Sequence, residues 1–179
     1  MRMRSSAATY GAVAVAIHWV SALAVFGLLV SGTILDNETD EAARQSLLGV
    51  HALVGSAVFV LTIARILWWW LVDVRPADPA GVPAWQSRAA RFVHIAFYVA
   101  LVVMGASGVA MIALSGAADI LWFGAPGPLP DFGGLPPRPA HGLMANLLMA
   151  LIAAHVLAAL YHQFVRRDRL LARMGIGRA

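Results

Sequence analysis

Residues 141–165 read HGLMANLLMALIAAHVLAALYHQFV, and this stretch decides the architecture. It carries no acidic residue, Lys or Arg, and it exceeds the roughly 20 residues a helix needs to cross a bilayer core of about 30 Å. In lipid every backbone donor and acceptor must find its partner within the segment, so the stretch is a helix. His141 and His155 lie within it, fourteen positions apart. Fourteen steps of about 100° leave them ~40° apart around the axis and ~21 Å apart along it. One helix therefore presents two histidines to the same interior at two depths.

Three more apolar runs precede this one. The spans fall at about 10–35, 46–72, 89–114 and 141–165, each long enough to cross a bilayer. They predict an all-α fold, a transmembrane four-helix bundle forming a single domain over residues 1–179. Arg2 and Arg4 give the first run the charged start of a signal peptide. Its apolar part, however, outlasts the ~7–15 residues of such a segment and contains His18 and Trp19, so it reads as a retained helix. Composition agrees: 60% of the chain is hydrophobic and 12% charged, against about 25% charged in a soluble domain. The loop 124–139, rich in Gly and Pro, is expected to be extended with no helix of its own. Trp68, Trp69 and Trp70 at one membrane face, and Trp122 and Phe123 at the other, read as interfacial anchors.

All thirteen basic side chains are arginine. Eleven fall on one side of the predicted bundle: Arg2 and Arg4, then Arg65, Arg75, Arg88 and Arg91, then the tail from Arg166 to Arg178. Arg44 and Arg138 alone fall on the other, with Asp36, Glu38, Asp40 and Glu41. The positive-inside rule then puts both termini in the cytoplasm. This clustering beside apolar runs suits a membrane and argues against nucleic acid as a partner, despite the net charge of +4.

With no cysteine, disulfides, thiolate metal sites, iron–sulfur clusters and thioether-linked haem are excluded. Histidine is the leading ligand type. All six histidines lie in or at the ends of the apolar runs: His18, His51, His94, His141, His155 and His162. Ionisable groups at membrane depth are expensive and usually functional. Depth read from the flanking arginines pairs His18 with His155 near the cytoplasmic side, and His51 with His141 near the outer side. Imidazoles reaching from different helices to opposite faces of a flat macrocycle are what a low-spin haem requires. Small residues near these positions, among them Ala14, Gly49, Ala52, Gly55 and Gly142, leave room for a porphyrin or serve tight helix packing.

Several motifs carry a resemblance to a known family. These are Ala16-Ile17-His18-Trp19, Gly49-Val50-His51, Ala64-Arg65-Ile66-Leu67-Trp68, Ala90-Arg91-Phe92-Val93-His94 with Tyr98, Ser107-Gly108, Ala140-His141, and the run from Ala158 to Asp168. In their order and spacing the chain resembles the bacterial cytochrome b561 family over nearly its whole length. The resemblance implies two haem b groups ligated at His18, His51, His141 and His155, and electron exchange with ubiquinone. It implies a donor at the periplasmic side, either superoxide or a separate dehydrogenase or hydrogenase for which the chain is membrane anchor and conduit. Family members often carry Lys where Ala52 stands and an acidic residue where Gly142 stands. Loss of a basic group near the outer haem weakens a superoxide-specific reading. A haem-free helical transporter is the remaining alternative.

His162 follows His155 by one heptad. It has three candidate roles: a haem-propionate partner, a donor to a quinone carbonyl, or a headgroup-zone residue. His94 is expected to be a polar bundle contact or propionate partner rather than a ligand. Arg65, Arg75, Arg88 and Arg91 can pair with propionates or lipid headgroups. The quinone is expected at the cytoplasmic end, with Trp68, Trp69, Arg75 and His162 near one level. Lipid anchoring is the competing reading of that cluster. No proton-relay chain of carboxylates is visible, which disfavours proton pumping.

Overall fold

A computed structural model describes residues 2–78, 81–168 and 170–177. Arg169 and Arg178, counted above in the basic tail, lie outside the described residues. Every regular element among the described residues is helical: α1 (Ala12–Leu35), α2 (Glu41–Leu71), α3 (Ala84–Ser115), α4 (Ala117–Trp122), α5 (Pro137–Leu160) and α6 (Leu170–Arg173). A π-helical turn, Tyr161–Arg166, extends α5. Four of these helices, counting α5 together with that turn, are long and apolar enough to cross a membrane. The shortest, α1, has 24 residues, about 36 Å of helix. Large apolar side chains point outward along all four, such as Leu23, Leu53, Phe92 and Leu157, so lipid is the solvent for the bundle's surface.

Several element ends differ from the hydropathy edges. Helix α2 begins at Glu41 rather than near 46, because Asp40 caps it by accepting from the Ala43 N–H at 2.8 Å; an Asx cap satisfies a backbone donor that would otherwise be orphaned. Helix α3 begins at Ala84 after Pro83, five residues ahead of the apolar run. It ends where Gly116 turns left-handed (φ 71°), a conformation that costs glycine little. The short α4 that follows was not expected. The Gly/Pro loop turns at 133–136 and is free of helix only as far as Pro136, since Pro137 opens α5 as its first residue, where a missing N–H costs nothing.

The helices pack in chain order, α1 on α2, α2 on α3 and α3 on α5. Neither α1 nor α2 packs closely against α5. The bundle interior is thinly filled by side chains: among the described residues Ala14, Val25, Val58, Ala100, Ala117 and Leu148 are the buried apolar ones, and only Leu148 is a fully buried large one.

The Arg-rich end is closed by a strap and a tail. Residues 2–11 fold back under α1, so that the backbone of Met3 to Ser5 runs against Gly11 where a Cβ would overlap it. Buried Asp73 clasps this strap. It accepts from the Ser5 N–H at 3.0 Å, the Ser5 hydroxyl at 2.8 Å and the Trp68 indole N–H at 3.2 Å. From the tail, Arg173 donates to the carbonyls of Ala8 and Ala77 at 2.9 and 2.7 Å. Trp19 donates to the Met174 carbonyl at 3.0 Å. Trp68 is thus a donor to Asp73, and Trp69 packs edge-on against Tyr10; neither serves simply as a membrane anchor, whereas Trp70 is 83% exposed and fits that role.

Candidate functional site

The two histidines of α5 each meet a histidine from across the bundle. His155 faces His18 of α1 with ring centres 6.3 Å apart, and His141 faces His51 of α2 at 6.4 Å. Two imidazoles on opposite sides of one metal ion, each bonded at about 2 Å and with roughly 1 Å more from nitrogen to ring centre, have centres about 6 Å apart. Both pairs join α5 to a helix it does not pack against. A flat macrocycle needs helices that are not packed on one another and cannot enter a close-packed seam. The residues present therefore fit a group of this shape at two levels.

His94 shows the contrast. Its ring lies 5.8 Å from His155, nearer than His18, but it stands on α3, the helix packed most intimately on α5. Phe97, on the same side, meets the His155 ring edge-on at 5.6 Å. His94 is therefore a bundle contact of His155.

The outer pair is oriented by hydrogen bonds that sequence reading did not find. His51 Nδ1 lies 2.8 Å from Ser31 Oγ, and the Ser31 hydroxyl donates to the Leu28 carbonyl at 3.1 Å. With its one proton spent there, Ser31 accepts from the His51 Nδ1–H. His141 Nδ1 lies 3.1 Å from both Ser107 Oγ and the Met104 carbonyl. A carbonyl only accepts, so this Nδ1 also carries the proton; the tautomer is assigned from the network. Both rings are thus left with a bare Nε2 lone pair. That is the arrangement of a metal-binding imidazole whose other nitrogen is fixed by an outer partner. The available signal was a serine in an apolar helix near the level of a histidine, which is twice present.

The small residues also sort differently from expectation. Gly49 faces Leu121 and Trp122, and Gly142 faces Arg138. Gly32 and Gly108 are the glycines against the site: a Cβ on Gly32 would stand 3.5 Å from His51 Cε1, and one on Gly108 would stand 3.3 Å from His141 Cε1.

His162 sits in the π-helical turn, its Nδ1 bound to Asp168, which also lies 3.6 Å from Arg166 Nε. The chain reverses just beyond, at Arg167 with φ 57°. Of the residues expected near His162, Trp68 donates to Asp73, Trp69 packs on Tyr10, and Arg75 lies over the Trp69 ring at 5.7 Å. At the other end Arg138 is ion-paired with Asp36 at 2.9 Å.

Paired imidazoles at two levels of a thinly filled, membrane-spanning bundle fit a membrane cytochrome of the b type, whose cofactor side chains alone would hold. The chain belongs to the prokaryotic cytochrome b561 family, whose sequence pattern matches residues 9–177; membership implies haem b and membrane electron transfer. Among its relatives, "Cytochrome b561 homolog 1" of Escherichia coli is 34% identical over 69% of this chain and 72% of its own. "Cytochrome b562" of Cereibacter sphaeroides is 31% identical over 92% of this chain and 94% of its own. "Probable superoxide oxidase CybB" of Yersinia pestis is 26% identical over 92% of this chain and 94% of its own. Family membership sets aside the haem-free transporter.

Proposed function

We propose that this chain carries electrons across the membrane through two haem b groups, an inner one held by His18 and His155 and an outer one held by His51 and His141. The observation that carries the reading is the pair of cross-bundle imidazole contacts at 6.3 and 6.4 Å, each between helices that do not pack closely on one another. Bound haem supplies a one-electron iron couple at each level. The protein's part would be to supply imidazole nitrogens that hold the group, to fix the outer tautomers through Ser31, Ser107 and the Met104 carbonyl, and to exclude water with apolar walls.

The arginine distribution supports cytoplasmic termini, with the His18–His155 pair toward the cytoplasm and the His51–His141 pair toward the periplasm. Electrons then pass between a periplasmic-side donor and ubiquinone in the membrane, which makes the chain an oxidoreductase when the donor is a small molecule. The name of the Yersinia pestis relative supports superoxide as that donor. A second reading, a conduit for a separate periplasmic redox protein, is favoured by the outer face itself. Six acidic residues stand there against two arginines, and one of those, Arg138, is neutralised by Asp36. Such a field repels a small anion and steers a cationic protein. The quinone is assigned to the cytoplasmic end beside His155. As an imidazolium, with its Nδ1–H donated to Asp168, His162 has an Nε2–H left to donate to a quinone carbonyl.

Haem counting on the purified protein tests the core of this. The expected value is two per chain by pyridine haemochrome; His18→Ala and His155→Ala should leave one common single-haem spectrum, and His51→Ala and His141→Ala another. The same residual spectrum from His18→Ala and His141→Ala would refute the pairing. Stopped-flow haem reduction by superoxide, set against co-purification of a periplasmic redox subunit, decides between the two donors.

A further inference from the structure

We propose that Arg65 binds a propionate of the inner haem and raises that haem's reduction potential; the inference rests on the two-haem reading above. Arg65 stands on α2 six positions before its last residue, Leu71, about 9 Å inside the helix end. A guanidinium at that depth needs a partner. Among the described residues the ion pairs are Arg138–Asp36, His162–Asp168 and Arg166–Asp168, and none includes Arg65. Asp73, the acid nearest in sequence on its side, is taken up by Ser5, Trp68 and Val74.

Nor does Arg65 behave as a lipid-anchoring arginine. Its guanidinium lies over the Tyr98 ring, 5.9 Å from the centroid, on the neighbouring helix α3. Its Nε is buried with no acceptor. A snorkelling side chain would instead carry its polar head out to water. His18, His94 and His155, from α1, α3 and α5, meet at one level, and Arg65 stands as many residues inside the α2 end as His18 does inside the α1 end. Among the described residues no ion pair brings an acid to these four basic groups. The matching chemistry is a carboxylate or phosphate oxygen presented to the planar fork of donors. A b-type haem held at His18 and His155 would supply two propionates for such a fork. An anionic lipid phosphate is the other source of the same chemistry.

A nearby cation favours the electron-richer ferrous state. A unit charge within about 10 Å, at an effective dielectric near 20, changes such an equilibrium roughly tenfold or more. The test compares the full-length holoprotein with Arg65→Gln and Arg65→Lys in nanodiscs, haem counted first and both potentials then titrated optically. Arg65→Gln is expected to lower the inner haem's reduction equilibrium about tenfold, 59 mV for one electron, or to release that haem, with the outer potential unmoved. Arg65→Lys should restore most of the loss. An unchanged inner haem in Arg65→Gln, or an equal shift at both haems, overturns the assignment while leaving the two-haem reading intact. A wild-type chain without an inner haem overturns both. If the wild-type inner potential follows the charge of the surrounding lipid, and Arg65→Gln abolishes that dependence, the bound anion is a lipid phosphate and the propionate assignment is wrong.

Discussion

Ser31→Ala and Ser107→Ala remove the same hydroxyl from the two sides of the outer site, yet their consequences should differ. The His51 Nδ1–H has one acceptor, Ser31 Oγ at 2.8 Å. The His141 Nδ1–H has two, Ser107 Oγ and the Met104 carbonyl, each at 3.1 Å. Ser31→Ala therefore strands a donor inside the bundle, at a cost of about 1–3 kcal/mol. Ser107→Ala leaves the backbone carbonyl in place, so its cost is that of one of two shared bonds, about 0.5 kcal/mol. Loss of an outer partner of a ligating histidine typically weakens metal binding about 10–100-fold, in line with the first figure. Ser31→Ala is thus expected to release the outer haem about 10–100-fold more readily, and Ser107→Ala only about two- to threefold. Timed haem transfer to apomyoglobin measures both, with the two haems distinguished by their reduced α-bands. Equal effects of the two substitutions, or loss of the inner haem in either, would refute the reasoning.

Asp73 makes the strap acid-sensitive. Burial by itself raises its carboxyl, but the Ser5 hydroxyl and N–H, the Val74 N–H and the Trp68 indole outweigh burial and hold it below its ordinary value. A carboxyl lowered on folding contributes stability above its unfolded pKa of about 3.9 and loses it as pH falls through the folded value. Proteolysis near residues 2–11 should therefore accelerate only in that acid window, and Asp73→Asn should accelerate it at neutral pH and flatten the profile; a wild-type profile that already begins to rise near neutrality argues against Asp73. Gly105→Ala sets a Cβ about 2.5 Å from the Phe59 side chain, and is expected to cost about 1–3 kcal/mol of α2–α3 packing, read as a lower melting temperature in detergent. An unchanged melting point would show that Phe59 swings aside freely. His162→Ala, with both haems counted and present, should slow quinone-linked haem reoxidation; unchanged rate and quinone affinity would remove His162 from that site.

The bundle and its histidines were legible because both signals are local. Apolar length announces each span, and the 14-position spacing of His141 and His155 fixes their shared face whatever the rest of the chain does. Depth was legible from the flanking arginines, which is why His18 could be matched with His155 at a distance of 137 positions (155 − 18). Rotation about each helix axis was not. It decides that Gly32 and Gly108 lie against the imidazoles while Gly49 and Gly142 face elsewhere, and that Ser31 and Ser107 reach Nδ1. Helix starts were missed where the helix outruns the apolar core. The Asp40 cap was in the sequence, but hydropathy weighed more than capping. The strap was illegible because its clasp joins Ser5 to Asp73, two residues linked by nothing in the intervening pattern.

The two levels of the bundle differ in a way that bears on the direction of electron flow. At the outer level both imidazoles donate from Nδ1. Such a bond makes the ring a stronger electron donor to a metal and favours the oxidised state. Arg138, the arginine nearest that level, is offset by Asp36. At the inner level the three imidazoles have no such acceptors among the described residues, and the positive field of Arg65 favours the reduced state. Both differences push the same way, so the inner haem is expected to have the higher potential and electrons to run downhill from the acidic face toward the Arg-rich end. Redox titration of wild-type protein, with the haems assigned through His18→Ala and His141→Ala, measures the order directly. An outer haem of higher potential would reverse the inferred direction. It would also mean that the Ser31 and Met104 contacts and the Arg65 charge are outweighed by some other feature of the two sites. The expected order, in contrast, would make a periplasmic-side donor and a cytoplasmic-end acceptor the natural partners of this bundle.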